Sequence, residues 1–257
     1  MLLAIDAGNT NVVFALRDQG RLIQRWRIST TGSRTADEYM VWLSQLMALE
    51  NMDPKVIDGA VIATVVPQAL FPLQLLCRRY FNCDAVVVGE KSVNLGIMAD
   101  IDNPLEVGAD RLVNAVAAHA EHPGALVILD FGTATTFDVI DSKGAYKGGV
   151  IAPGINLSLE ALHMAAAKLP RIAPEEPPQV IGRNTVNAMQ SGVYWGYVGL
   201  IEGIISRIKT EFSKPMTVIA TGGLAPLFDR ATDMIEVVDQ ELTIKGLFRI
   251  FDLNRAS

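Results

Sequence analysis

The chain has 257 residues, half of them hydrophobic, with a formal net charge of −6 and a pI near 5.1. Enough apolar residues are present for one large or two small domains, and the acidic balance disfavours nucleic acid and anionic membranes as partners. The two cysteines, Cys77 and Cys83, form no C-x-x-C motif, so neither a zinc site nor a disulfide framework is indicated.

The N-terminal stretch and the apolar runs indicate neither targeting nor a membrane segment. No basic segment precedes the first apolar run, and no apolar run approaches the ~20 residues that span a bilayer. We therefore expect a cytoplasmic protein without a signal peptide or a membrane segment.

The N-terminal stretch L-L-A-I-D-A-G-N-T-N-V-V-F-A-L predicts a hairpin, with strands over 2–6 and 11–17. Its turn holds the Asp6 carboxylate, Gly8 and several small hydrogen-bonding side chains. An acid beside exposed amides suits a phosphate group bridged by a divalent cation. Taken alone, the same turn is also an ordinary Asx turn.

The next elements complete a first mixed sheet with helices on it. Thr35 is a candidate cap for the first helix, whose opening turn is acidic. The predicted elements are a strand over 22–28, a helix over 36–49, a strand over 59–66, a helix over 68–81 and a strand over 85–88.

The segment V-G-A-D-R-L-V-N-A-V-A-A-H, residues 107–119, predicts a helix that begins near Gly108. Asp110 and Arg111 then lie in its first turn. Acidic residues favour that position, and an Asp-Arg pair is often a surface ion pair. A functional role for Asp110 is the alternative.

Residues 126–140, L-V-I-L-D-F-G-T-A-T-T-F-D-V-I, repeat the N-terminal stretch without a gap. Asp6 aligns with Asp130, and the offset of 124 residues also relates Gly20 to Gly144. The same alignment pairs Gly8 with Gly132, Asn9 with Thr133 and Asn11 with Thr135. A repeat of this length predicts two copies of one domain, divided as 1–115 and 116–257. Two such hairpins facing across a cleft would hold one polyphosphate.

The second half begins with three predicted strands and continues into helices. The segment G-G-V-I-A-P-G over 148–154, before a helix entered at Asn156 or Ser158, suits an anion, or is simply a tight turn. Asn184 or Thr185 begins the long helix. The predicted elements are strands over 126–130, 135–141, 145–151 and 216–220, and helices over 155–168, 184–212 and 240–251.

Glycines at 192, 196, 199 and 203 fall on one face of the long helix. Each costs roughly 1 kcal/mol of helix stability relative to alanine. A stripe tolerated at that cost indicates close approach by another backbone. That backbone belongs either to another helix of the same domain or to a second subunit.

Six motifs in this order closely resemble the type III pantothenate kinases, of the acetate kinase, sugar kinase, Hsp70 and actin superfamily. The resemblance implies an α/β fold of two duplicated actin/ribonuclease H-like domains. Each would be a mixed central sheet flanked by helices, with the active-site cleft between them. The motifs are D-A-G-N-T at 6–10, G-A-D-R at 108–111, D-F-G-T-A-T-T at 130–136, G-G-V-I-A-P-G at 148–154, N-T at 184–185 and T-G-G at 221–223.

The resemblance implies ATP-dependent phosphorylation of the primary hydroxyl of pantothenate to 4'-phosphopantothenate, the first committed step of coenzyme A synthesis. Asp110 matches the family's catalytic base, and Asp130 matches the ligand of a monovalent cation, potassium or ammonium. The match also implies a homodimer. We further expect Asp6 to hold the Mg²⁺ that accompanies ATP, through water. The ATP-binding residues implied are Asp6, Ala7, Gly8, Asn9, Thr10, Asn11, Val12, Val13 and Thr133, and the pantothenate-binding residues are Gly108, Ala109, Asp110, Arg111 and Thr185.

One position departs from the family pattern, because Ile101 stands where many members carry a pocket tyrosine. The change replaces a hydroxyl by an apolar wall and concerns substrate contacts rather than the reaction class. The alternatives are another small-molecule kinase of the superfamily, a non-catalytic nucleotide-binding regulatory module, and a degenerate paralogue.

Overall fold

The computed structural model describes residues 1–166 and 168–255. Its strands form two five-stranded sheets, and the chain divides into two compact units. The first unit comprises Met1–Met98, Asp102–Ala120 and the chain from Leu242 onward, and the second comprises Ala99–Ile101 and Glu121–Glu241. The predicted division at residue 115 did not anticipate that the C-terminal segment packs with the first half.

The first sheet has the strand order β3-β2-β1-β4-β5. Strands β1 to β3 are antiparallel neighbours. Strand β4 pairs in parallel with β1, and β5 pairs in parallel with β4. This is the mixed sheet that the order of elements predicted. The strands are β1 (Leu2–Ala7), β2 (Asn11–Asp18), β3 (Arg21–Ser29), β4 (Gly59–Thr64) and β5 (Ala85–Val87).

Helices cover both faces of the first sheet. Alternate residues of β1 point to opposite faces, so Leu3 and Ile5 pack under α1 and α2, while Leu2 and Ala4 pack under α3 and α7. Short 3₁₀ turns lie at Pro54–Val56 and Pro104–Glu106. The helices are α1 (Ala36–Leu49), α2 (Pro67–Tyr80), α3 (Ala109–Glu121) and α7 (Leu242–Asn254).

The predicted cap of α1 is confirmed as a capping box. The Glu38 backbone N–H donates to the Thr35 hydroxyl at 3.3 Å, and the Thr35 backbone N–H donates to the Glu38 carboxylate at 2.7 Å. The two residues thus satisfy donors that the first helical turn leaves open.

The second sheet has the order β10-β9-β6-β7-β8, which repeats the order of the first sheet strand for strand. Strands β6, β7 and β8 are antiparallel neighbours. Strand β9 pairs in parallel with β6, and β10 pairs in parallel with β9. The strands are β6 (Ala125–Phe131), β7 (Ala134–Ile140), β8 (Tyr146–Pro153), β9 (Met216–Gly222) and β10 (Val237–Val238).

The helices of the second unit are α4 (Ile155–Ala165), α5 (Thr185–Phe212) and α6 (Ala225–Phe228). Gly154 precedes α4 without a side-chain cap, so the predicted entry at Asn156 or Ser158 is wrong. The prediction extends that helix to residue 168, whereas the observed helix ends at Ala165. Residue 167, within the predicted extension, lies outside the described residues. Asn184 caps α5, accepting from the Asn187 backbone N–H at 2.8 Å. In the described part of the chain, no helix is long and apolar enough to cross a bilayer.

Candidate active site

The first predicted site is the turn that joins β1 to β2. Ala7 pairs with Val12, which leaves the four residues from Gly8 to Asn11 in the turn. The Gly8 backbone N–H closes it by donating to the Asn11 carbonyl at 3.0 Å. Asp6 is half-buried near the end of β1, so its carboxylate lies beside the exposed tip of the hairpin.

Asp110 lies in the first turn of α3. The backbone N–H groups of Arg111 and Leu112 donate to the Gly108 carbonyl at 3.1 and 3.2 Å, so the helix starts at this glycine. The Asp110 carboxylate accepts from the Arg111 backbone N–H at 2.8 Å. An added Cβ on Gly108 would lie 2.6 Å from that carboxylate, so the observed position of the carboxylate requires glycine there.

The structure brings these two features to one edge of the first sheet. Residue Val65, directly after β4, donates its backbone N–H to the Ala7 carbonyl at 3.1 Å. The Val65 side chain also lies 3.7 Å from the Cβ position of Gly108. Asp110 and the turn therefore stand at the carboxyl ends of the parallel strands β1 and β4, where ligands bind in open α/β sheets.

The helix that carries Asp110 rests on the C-terminal helix. A Cβ on Gly246 of α7 would lie 2.1 Å from the Val113 carbonyl of α3, so the two backbones approach as closely as glycine permits. The Thr243 hydroxyl donates to the buried Asn114 side chain at 2.8 Å. This packing fixes the direction of α3 and of its first turn.

Asp130 lies near the end of β6, beside bare backbone. One of its carboxylate oxygens is 2.7 Å from the Cβ position of Gly222 and 4.0 Å from that of Gly132. Gly222 has φ +90°, a conformation that favours glycine, so the T-G-G segment serves to bring backbone next to the carboxylate.

The second turn is closed like the first, because the Gly132 backbone N–H donates to the Ala134 carbonyl at 3.0 Å. The Gly154 backbone N–H, immediately before α4, donates to the Thr133 carbonyl at 3.1 Å. A Cβ on Gly154 would lie 2.2 Å from that oxygen, so only glycine fits. The start of α4 therefore lies against the turn that contains Thr133.

The two hairpins are not in the register that the ungapped alignment gave. Asp6 pairs with Val13, but Asp130 pairs with Thr136, so the second turn is one residue shorter. Thr135 therefore matches Val12 in position, and not Asn11. Hairpin register follows turn length, which an ungapped alignment cannot show.

Ile101 lies beside the edge strand β8. The preceding residue, Asp100, donates its backbone N–H to the Tyr146 carbonyl at 2.9 Å, and its carboxylate forms an ion pair with Lys147. The Ile101 side chain is 3.8 Å from the Cβ position of Gly148. Its apolar wall thus faces the start of the G-G-V-I-A-P-G segment.

Thr185, the first residue of α5, lines an open groove of about 750 Å³ between α4 and α5. Three polar side chains, Thr185, Ser158 and Tyr197, interrupt an otherwise apolar lining. The remaining lining residues are Leu162, Leu169, Ala188, Met189, Gly192, Val193, Gly196 and Leu200.

The glycine stripe of α5 faces open space. Gly192, Gly196 and Gly199 are exposed, and apart from neighbouring parts of α5 itself, none of the described residues comes within 4 Å of their Cβ positions. Gly203 faces only the Arg207 side chain of its own helix, at 3.2 Å. The alternative of another helix from the same domain is therefore wrong for the first three glycines.

The predicted residues divide between the units. Asp6 to Val13 and Gly108 to Arg111 belong to the first unit, whereas Asp130, Thr133 and Thr185 belong to the second.

Both predicted cation positions are single carboxylates. Among the residues that the structure describes, no group of three or more His, Cys, Asp or Glu side chains could hold a metal ion. A single carboxylate at Asp6 fits Mg²⁺, which keeps several waters and takes oxygens from nucleotide phosphates. Asp130, with glycine backbone beside it, fits a weakly bound cation that also takes carbonyl oxygens.

Sequence reasoning missed several residues that shape the site. Val65 and Gly246 carry no local signal, because their roles arise from contacts distant in sequence. Thr30 hydrogen-bonds to the first turn, and the repeat could have revealed it, because it aligns with Gly154 at the same offset of 124 residues.

Comparison with protein families matches residues 2–207 to the type III pantothenate kinase family. A type III pantothenate kinase of Paramagnetospirillum magneticum is 61% identical over 254 residues, covering 99% of this chain and 98% of the relative. Those of Rhizorhabdus wittichii and Rhodospirillum rubrum are each 58% identical, covering 98% and 99% of this chain and 98% and 99% of the relatives.

Solved structures share the fold. A Campylobacter jejuni protein named for the Baf family of transcriptional activators has a TM-score of 0.59 at 20% identity, with 98% of each chain covered. A Sinorhizobium meliloti protein named as a 2-dehydro-3-deoxygalactonokinase also has a TM-score of 0.59, at 12% identity, covering 100% of this chain and 98% of its own. The predicted α/β fold of two duplicated actin/ribonuclease H-like units is confirmed.

Proposed function

This chain belongs to the type III pantothenate kinase family, and we propose that it transfers the γ-phosphate of ATP to the primary hydroxyl of pantothenate. The product is 4'-phosphopantothenate, and the reaction is the first committed step of coenzyme A synthesis. The observation that carries this proposal is the position of the Asp110 carboxylate, at the sheet edge that also holds the Asp6–Val13 turn.

Asp110 is the proposed catalytic base. An attacking hydroxyl must lose its proton to a placed acceptor while it approaches the γ-phosphate in line with the leaving oxygen. The carboxylate accepts from the Arg111 backbone N–H at 2.8 Å, which holds it in the first turn of α3, and an ionised carboxylate accepts at both of its oxygens.

ATP is proposed to bind through the turn residues Asp6, Ala7, Gly8, Asn9, Thr10, Asn11, Val12 and Val13, together with Thr133. Neither turn contains a lysine. Phosphate charge must therefore be met by backbone N–H groups, hydroxyls and cations. The exposed Asn9 and Thr10 at the tip of the first hairpin support this role.

The cations proposed are Mg²⁺, held with ATP at Asp6 through water, and potassium or ammonium at Asp130. When bound, such cations neutralise charge on the transferring phosphoryl group. The Asp130 carboxylate lies beside glycine backbone, 2.7 Å from the Cβ position of Gly222, which supports a cation bound partly by carbonyl oxygens.

Pantothenate is proposed to bind at Gly108, Ala109, Asp110 and Arg111, and at Thr185. Pantothenate is a carboxylate, so the Arg111 guanidinium is suited to pair with it. Thr185 offers a hydroxyl beside the apolar lining of its groove, which suits the remaining hydrocarbon of the substrate.

We also propose a homodimer that uses the α5 glycine stripe. The exposed Gly192, Gly196 and Gly199 lie beside the largely apolar groove, and Trp195 is 37% exposed on the same helix. Bare glycine allows a second α5 to approach closely. A cytoplasmic location, no nucleic-acid partner, and two domains near 1–115 and 116–257, with the chain from Leu242 onward packed in the first unit, complete the proposal.

The test is ADP release from ATP and Mg²⁺ with and without pantothenate, in potassium buffer and in sodium buffer, with mass detection of 4'-phosphopantothenate. We expect release only with pantothenate and faster release in potassium. Pantothenate-dependent release that is equal in both buffers would remove the cation role of Asp130. Release that depends instead on a sugar or a short carboxylate would overturn the substrate assignment.

A further inference from the structure

Thr30, the residue directly after β3, makes two hydrogen bonds to the first turn. Its hydroxyl donates to the Gly8 carbonyl at 2.6 Å, and its backbone N–H donates to the Thr10 carbonyl at 2.9 Å. Thr30 is half-buried, and its side chain makes no other hydrogen bond that the structure describes. One residue therefore holds the turn at two successive points.

Other carbonyl groups of the turn also accept hydrogen bonds from donors of the protein. The Ala7 carbonyl accepts from the Val65 backbone N–H at 3.1 Å and from the Thr64 hydroxyl at 3.3 Å. The Asn11 carbonyl accepts from the Gly8 backbone N–H. With Gly8 and Thr10 held by Thr30, four carbonyls of the segment from Ala7 to Asn11 have protein donors.

The orientation of these carbonyl groups determines how the turn meets an anion. A carbonyl oxygen directed at a phosphate repels it, whereas a backbone N–H attracts it. A peptide group cannot turn its carbonyl outward while that oxygen is bound on the inner side, so the Thr30 hydroxyl fixes the orientation of the peptide between Gly8 and Asn9. The N–H of Asn9 belongs to the same peptide plane and must then point away from Thr30.

The second hairpin has no hydroxyl side chain at the position of Thr30. Gly154 occupies the position that corresponds to Thr30 and has no side chain, and there the start of α4 lies against the turn. The longer first turn thus depends on a side-chain hydroxyl for a constraint that helix packing supplies in the second.

We propose that Thr30 is a positioning residue for the phosphate-binding turn, acting through the Gly8 carbonyl. The inference rests on the proposed role of Asp6 to Val13 in binding ATP. The bond from the Thr30 hydroxyl orients the Gly8–Asn9 peptide so that its N–H faces the phosphates of the nucleotide.

The experiment compares Thr30→Val, which keeps the shape of the side chain and removes the hydroxyl, with Thr30→Ser, which keeps the hydroxyl. Thr31→Val is the matched control, because the exposed neighbouring Thr31 hydroxyl has no hydrogen bond to the described residues. Thr30→Ala is made as well, in case valine does not fit. The readouts are the Kd for MgADP by calorimetry, kcat/KM for ATP, KM for pantothenate and Tm.

For Thr30→Val and Thr30→Ala we expect the Kd for MgADP to rise and kcat/KM for ATP to fall by about three- to tenfold, the worth of one hydrogen bond. Thr30→Ser and Thr31→Val should behave as wild type, and KM for pantothenate should not change. A Thr30→Val protein with wild-type nucleotide affinity, or one that changes only in Tm, would overturn the inference. Wild-type protein that binds no nucleotide would instead overturn the proposed function.

Discussion

A Cβ added to Gly108 would lie 2.6 Å from a carboxylate oxygen of Asp110, so the first residue of the G-A-D-R segment sets the position of the third. The conflict is with the end of a short side chain and not with backbone. A substitution at Gly108 can therefore be accommodated by rotating the Asp110 carboxylate, which moves the proposed base while leaving the fold intact.

Gly108→Ala is accordingly expected to lower kcat by about a hundredfold, the cost of misplacing a reacting group by roughly 1 Å. Its Tm should stay near that of wild type. The exposed loop residue Gly32, with no atom within 4 Å of its Cβ position, provides the control Gly32→Ala, for which kcat should not change. Wild-type kcat in Gly108→Ala would show that the carboxylate position is not critical.

Gly222→Ala tests the cation position at Asp130. Its Cβ would meet the Asp130 carboxylate at 2.7 Å and the Phe131 carbonyl at 2.6 Å, in a backbone conformation with φ +90°. We expect a loss of stability of about 1–3 kcal/mol from backbone strain and a higher potassium concentration for half-maximal activity. The neighbouring Gly223→Ala, with open space at its Cβ position, is the control. If wild type, Gly222→Ala and Gly223→Ala need the same potassium concentration for half-maximal activity, the assignment of the cation to Asp130 is contradicted.

Gly196→Arg tests the proposed dimer. The substituted side chain would enter the open space along α5, where a second α5 is proposed to lie. Because arginine favours helix over glycine by roughly 1 kcal/mol, the helix itself should not weaken. Light scattering after size exclusion should show a dimer for wild type and for Gln45→Arg, an exposed change on α1, and a monomer for Gly196→Arg. A wild-type monomer, or a Gly196→Arg dimer, would rule out this interface.

The capping box of α1 gives a pH-dependent prediction. Hydrogen bonds from the backbone N–H and the hydroxyl of Thr35 lower the pKa of Glu38. A carboxyl with a lowered folded-state pKa stabilises the protein above its unfolded pKa of about 4, and this contribution is lost as pH falls through the lowered value.

The Tm difference between wild type and Glu38→Gln should therefore be full at neutral pH and should shrink in acid. Gln45→Ala, an exposed change on the same helix that involves no ionisable side chain, serves as the control and should show no such trend. A difference for Glu38→Gln that is the same at every pH would argue against an ionic contribution from the cap.

Local signals explain what the sequence could predict. Thr35 and the acidic first turn predicted the start of α1, Ala36–Leu49, and the two D-x-G turns predicted both hairpins. The packing of α7 in the first unit could not be read in this way, because the approach of Gly246 to Val113 joins residues far apart in the chain. The one-residue difference in turn length between the hairpins could not be predicted for a related reason, since strand register depends on turn geometry.

The catalytic role of Asp110 is tested most directly by Asp110→Asn, measured by ADP release with saturating pantothenate and by calorimetric titration with MgADP. Asparagine keeps the shape of the side chain but cannot accept the proton of the attacking hydroxyl. We predict that turnover falls by at least about a hundredfold, the usual contribution of a general base, while nucleotide affinity stays at the wild-type value. Near-normal turnover in Asp110→Asn would contradict the account.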